Sequence, residues 1–175
     1  SFGAAPIVAT IIASDGSVSE PDLASISGGI VTLHTGVDRA LKGPGFGSET
    51  EENWSITRKA GGDGNDITVS SLGFTEDFDN VTKILVRDGG GQLLFIDIDD
   101  EVTSDVDVSL AARRSTLRSR GSGNATVNLN ETVGSRHSVI LGTGDNTINV
   151  FAGEQSINLA QGNNDTVNIH GGRAF

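Results

Sequence analysis

Short apolar or alternating runs, each bounded by Gly, Asp, Asn or Ser, recur along the chain. Runs of this kind predict β-strands. They fall near 6–13, 29–34, 53–58, 66–71, 81–87, 92–98 and 105–110. The runs 81–87 and 92–98 flank Asp88-Gly89-Gly90-Gly91, which predicts a hairpin with a four-residue loop. Helix signals are sparse. The stretch 19–26, with Pro21 at an early position, offers one short helical turn. The stretch 109–119 carries Arg113, Arg114 and Arg118 and reads as a short helix or a linker.

Beyond residue 120 the pattern becomes a repeat. Aligned on apolar positions, the tail reads GNATVNL (123–129), GSRHSVIL (134–141), GDNTINV (144–150), GEQSINL (153–159) and GNNDTVNI (162–169). The first apolar position recurs at Val127, Val139, Ile148, Ile157 and Val167, with spacings of 12, 9, 9 and 10. Strand alternation turns Val127 and Leu129 inward and Asn128 outward. The same split turns Asn149, Asn158 and Asn168 outward. Each unit buries only two side chains, so none is stable alone, whereas stacked units share one apolar interior. Aligned Asn side chains hydrogen-bond in ladders, and a Gly at the start of each unit permits a sharp turn.

Composition sharpens this division. The first 120 residues hold three Asn and the last 55 hold nine. The expectation is an all-β chain: an N-terminal antiparallel β domain over 1–112, a linker over 113–120, and a Gly/Asn-rich β-repeat region over 121–175. The repeat fits a β-roll or solenoid, or a β-sandwich whose strands are spaced equally closely. With 24 Gly against three Pro, the chain is rich in tight turns and is not collagen-like.

Charge and missing residue types exclude several functions. A net charge of −11 is the wrong sign for neutralising phosphates, so nucleic acid is not an expected partner. There is no Cys, which removes disulfides, thiolate catalysis and Cys-based zinc sites. No stretch reaches the roughly 18 apolar residues of a membrane helix. The apolar run Ala4–Ala13 lacks a basic flank and reads as a first strand rather than a signal-peptide core.

Candidate chemistry is thin. Asp97 and Asp99 lead the densest acidic run and offer hard oxygen ligands for Ca²⁺, or simply a solvated strand end. His34, His137 and His170 show no paired metal spacing, and no nucleophile elbow or phosphate-binding loop is present. Arg113, Arg114 and Arg118 form a basic strip in an acidic chain, either a solvated connector or a docking strip for a neighbouring copy. With one Trp and no Tyr, a glycan-binding platform is a weaker reading.

Gly61-Gly62-Asp63-Gly64-Asn65-Asp66-Ile67-Thr68-Val69 carries the glycines and the Asp of a G-G-x-G-x-D-x-U-x nonapeptide, with Thr68 at the apolar position. In the tail, the corresponding ligand position holds Asn146, Gln155 and Asp165. The chain therefore resembles, in degenerate form, the RTX nonapeptide-repeat family. That resemblance implies a parallel β-roll and Ca²⁺ held between turns, with Asp63, Asp66, Asp145 and Asp165 as the carboxylates.

The expectation that follows is a non-catalytic structural or assembly protein of an extracellular, cell-surface or virion setting. Its β-repeats associate into a homo-oligomer or larger array, with Arg113, Arg114, Arg118, Asn128, Asn149, Asn158 and Asn168 as contact residues. The alternatives are a secreted calcium-binding module and a carbohydrate-binding β-solenoid.

Overall fold

Fifteen short strands are divided between two facing sheets in a computed structural model that describes residues 20–43, 51–88, 93–130, 136–159, 164–171 and 173–175. The expected strand at 6–13 lies outside these residues, as do residues 89–91 of the expected hairpin loop. The described chain is all-β apart from a 3₁₀-helix at Gly36–Lys42.

The strands are β1 (Ala24–Ser27), β2 (Ile30–Leu33), β3 (Glu51–Arg58), β4 (Ile67–Ser71), β5 (Phe74–Phe78), β6 (Lys83–Arg87), β7 (Leu93–Ile98), β8 (Asp105–Leu110), β9 (Arg114–Ser119), β10 (Ala125–Leu129), β11 (Arg136–Leu141), β12 (Thr147–Val150), β13 (Glu154–Leu159), β14 (Thr166–Ile169) and β15 (Arg173–Ala174). One sheet runs β1-β2-β6-β8-β10-β12-β14 and the other β15-β13-β11-β9-β7-β3-β4-β5. From β6 onward each strand crosses to the opposite sheet and the next returns, so two strands make one coil of a parallel β-solenoid. Among the described residues, antiparallel pairing is confined to β1–β2 and to β3–β4–β5, at the N-terminal end.

The tail repeat is the visible part of this coil. Val127, Ile148 and Val167 stack in one sheet, while Val139 and Ile157 stack in the other. Each sequence unit is thus half a coil: steps from the first sheet to the second span 12 and 9 residues and the returning steps 9 and 10, so the long spacing belongs to the one step from β10 to β11. Inward columns extend beyond the repeat: Val86, Val108, Val127 and Ile148 align, and so do Leu110, Leu129 and Val150. A single buried cluster runs from Leu23 to Val150.

Three local expectations are corrected. First, β6 and β7 do not form a hairpin: β6 pairs with β2 and β8, and β7 with β3 and β9. Both strands bury alternate residues against the core, a pattern that serves a hairpin and a crossover between sheets equally. Secondly, 114–119, expected as a helix or linker, is β9, flanked by β7 and β11. Ser115, Leu117 and Ser119 point inward while the arginines point out, and the polar composition masks a period-2 pattern. Thirdly, residues 24–27 form β1 rather than a helical turn.

Candidate functional site

The turns carry the first expected ligands. Asn124 donates its backbone N–H to Asp105 Oδ1 (3.0 Å), Asp145 donates its own to Asn124 Oδ1 (2.9 Å), and Asn164 Nδ2 reaches Asp145 Oδ1 (3.3 Å). Beside this column, Asp165 Oδ1 accepts both the backbone N–H of Asn146 (3.0 Å) and its Nδ2 (2.9 Å). Asp145 and Asp165 therefore meet amide donors of neighbouring turns. A carboxylate or amide oxygen that satisfies the next coil's free N–H stabilises stacking without a cation.

The glycines of these turns act by size. A Cβ on Gly121 would lie 2.0 Å from Val102 O, and one on Gly142 would lie 2.1 Å from Gly121 O. Gly123 and Gly144 meet Ser104 O and Gly123 O in the same way, at 2.0 and 2.3 Å. None of these four adopts positive φ. The expected reason, turn conformation, holds at Gly153 (φ +79°), whereas at these four backbone pressed on backbone leaves no room for a side chain.

Asp63 and Asp66 shape the turn from β3 to β4. Asp63 Oδ1 accepts the Asn65 N–H (2.8 Å), and Asp66 accepts those of Asn80 (2.9 Å) and Asp63 (3.3 Å). The Asn80 N–H holds the Asp66 carboxyl below the usual carboxylate range, with the Asp63 N–H and Lys59 adding to it. Asp97 and Asp99 face cations: Arg120 lies 3.3 Å from Asp97 and 3.7 Å from Asp99, and Arg118 lies 3.8 Å from Asp97. Asp99 is held low by hydrogen bonds from Asp100, and secondarily by Arg120. No three His, Cys, Asp or Glu side chains converge into a metal-binding group among the described residues.

The proposed contact residues separate. Arg118 serves the Asp97 cluster within the chain. Arg114 lies beside Arg136 in register, next to a groove of about 440 Å³ that also takes in Glu154 and Phe175. Arg113 is exposed and its carbonyl accepts the Arg136 N–H (3.1 Å). Asn128, Asn149 and Asn168 form a ladder, with Asn149 donating to Asn128 (2.9 Å) and Asn168 to Asn149 (3.0 Å). Asn158 sits in the other sheet opposite Ile140 and is not part of it.

Sequence reasoning missed two features. At the N-terminal end, Lys42 and Glu52 form a buried ion pair (3.1 Å), with Thr35 Oγ1 donating to Glu52 and the Lys42 ammonium 5.2 Å from the Trp54 ring centroid. No local pattern marks it, because the partners meet only when the 3₁₀-helix folds onto β3. At the C-terminal end, Val167 and Ile169 occupy the next places in the inward columns, yet are 38% and 57% exposed. Here β14 is the last strand of its sheet. The repeat itself held part of the signal: Val167 and Ile169 take the inward places of the unit 162–169.

The outer face near β3 also carries a groove of about 550 Å³, lined among others by Asn53, Ser55, Ser70, Phe74, Phe95 and Asp97. Compared with protein-family models, curated proteins and solved structures, the chain matches none.

Proposed function

We propose that this chain is a non-catalytic structural module whose copies associate through the C-terminal end of the roll. The observation that carries this reading is the exposure of Val167 and Ile169 at core positions on a strand with one free edge. Such an edge offers unpaired N–H and C=O groups as a template for another strand. The coils are rigidified by glycine contacts and amide columns, so pairing at the end extends a stiff object. The setting belonging to this reading is extracellular, on a cell surface or on a virion, where an acidic roll of pI ≈ 4.5 has no nucleic acid to bind.

Sedimentation equilibrium tests it. The wild-type mass should exceed 18.0 kDa and rise with concentration. Ile169→Lys, at an exposed position, should be monomeric with an unchanged melting temperature. A wild type that stays monomeric throughout the micromolar range ends the reading.

Calcium is not required in this account, since Asp145 and Asp165 already accept amide donors. Melts in calcium and in chelator should coincide. A rise in melting temperature with calcium would instead favour an RTX-like module. The groove beside Phe74 and Phe95 favours one second reading, glycan binding, because it joins aromatic rings to Asn53, Ser70 and Asp97. A glycan array, with Phe95→Ala as control, tests it.

A further inference from the structure

We infer that the outer face of β3, β7, β9 and β11 binds a glycan that carries a carboxylate or a sulfate, with Arg114 and Arg136 taking the anionic group and Phe95 taking a sugar ring. This rests on the glycan-binding reading of the groove beside Phe74 and Phe95, and adds the charge class of the ligand and the residues that recognise it. The first support is an unbalanced charge pair. Arg114 on β9 and Arg136 on β11 are direct neighbours in register, and both are exposed. Like charges placed side by side across strands cost stability. Among the described residues neither arginine forms an ion pair, although Glu154 follows Arg136 in register on β13. Further along β9 the sheet shows the ordinary arrangement, with Arg118 in register with Asp97 of β7 and 3.8 Å from its carboxylate. Two guanidinium forks on strands about 4.8 Å apart together offer donors enough to hold one oxyanion by charge-assisted hydrogen bonds.

The second support is continuity. The groove of about 550 Å³ shares Asn53 and Phe95 with a neighbouring hollow of about 190 Å³. That hollow in turn shares Arg114 and Thr116 with the groove of about 440 Å³ beside Arg136. Along this channel Phe95 stands in register with Thr116, and Thr116 with Ser138. An aromatic ring, a row of hydroxyls and the arginine pair therefore line one path across the strands. Phe95 is 36% exposed, and the negative face of its ring suits the C–H groups of a sugar. The hydroxyls of Thr116 and Ser138 both donate and accept, as sugar hydroxyls do. Arg114 lies one strand and two residues from Phe95, about 8 Å across the sheet. A sugar on Phe95 thus brings an acidic group on itself or on its neighbour to the arginines. A densely charged polyanion fits worse, because the chain carries a net charge of −11 and Glu51 and Asp97 line the same channel. A glycan with sparse acidic groups meets its charge only at Arg114 and Arg136.

An array of carboxylated and sulfated oligosaccharides, each beside its carboxyl-reduced or desulfated counterpart, tests the inference on the full chain. The wild type should bind acidic members about tenfold more tightly than their neutral counterparts, and which acidic set binds identifies the anion. Arg114→Gln and Arg136→Gln should each weaken binding of the acidic member about tenfold, the worth of one hydrogen bond to a charged group. Their melting temperatures should hold or rise slightly, since a like-charge contact is relieved. Binding of the neutral counterpart should be the same in these variants as in the wild type, whereas Phe95→Ala should weaken both members. Equal binding of acidic and neutral members, unchanged by the arginine variants, overturns the inference and leaves glycan binding standing. If the arginine variants bind glycans like wild type but sediment at lower mass, the pair serves a contact between copies and the inference also fails. Silence of the whole array removes the underlying reading together with the inference.

Discussion

The two ends of the roll bury the same kind of column by different means. At the N-terminal end, β1 and the β4–β5 pair turn the sheet edges antiparallel, and the Glu76 carboxylate accepts the N–H groups of Leu23 (2.8 Å) and Ala24 (3.1 Å), tying β5 to β1. Leu23, Val31, Leu33 and Trp54 are consequently buried. At the C-terminal end the coils stop with Val167 and Ile169 exposed. One end is covered by side chains specific to their places, with Ile26 opposite Val31 still 44% exposed, and the other is an unaltered repeat. Repeat stacking needs no particular partner, because each unit contacts only its neighbours.

The largest effect should come from breaking the seal. Glu52→Ala removes the carboxylate that faces the buried Lys42 ammonium and should cost about 3–5 kcal/mol in chemical denaturation. The double variant Lys42→Met, Glu52→Leu should regain most of that loss, because two apolar groups leave no charge in the core. Mass at assembling concentrations should not change, since the other end is untouched.

Next comes a glycine comparison. Gly142→Ala drives a Cβ against the Gly121 carbonyl and should cost about 3 kcal/mol, because backbone cannot move aside without unstacking coils. Gly28 has φ +57° with open space around it, so Gly28→Ala should cost only about 1 kcal/mol of left-handed strain. Comparable losses would show that the turn contacts relax more easily than their geometry implies.

A smaller effect separates the two sheets. Asn149→Ala removes the middle of the ladder and should cost about 1 kcal/mol, whereas Asn158→Ala should stay within about 0.5 kcal/mol. Equal losses would mean that the ladder bonds add nothing beyond packing.

The smallest effect concerns pH at the N-terminal turn. Asp66 has a folded pKa below its ordinary value of 3.8. Its contribution is therefore fully present above that value and is lost as pH falls through the folded one. Melting temperatures should fall from pH 5 to pH 2, slightly less steeply in Asp66→Asn. A steeper fall in the variant would contradict the direction of the shift.

Much of this was legible in residue order. The period-2 runs and Gly-bounded units determined an all-β chain, the position of most strands, and which tail residues face inward, because alternation is a local property of an extended backbone. They also determined that Asn128, Asn149, Asn158 and Asn168 lie on the outward faces. Only the tertiary structure decided which strand meets which. Period-2 alternation is the same for a hairpin and for a crossover between sheets, so 81–98 read as a hairpin although its halves lie in opposite sheets. Pairing likewise decided that Asn149 joins a ladder while Asn158 faces Ile140, that Arg118 meets Asp97, and that β9 is a strand despite its arginines. The reason is physical: alternation fixes the direction of a side chain, whereas its neighbours come from the coil above and the coil below, about twenty residues away at a separation set by the strand spacing.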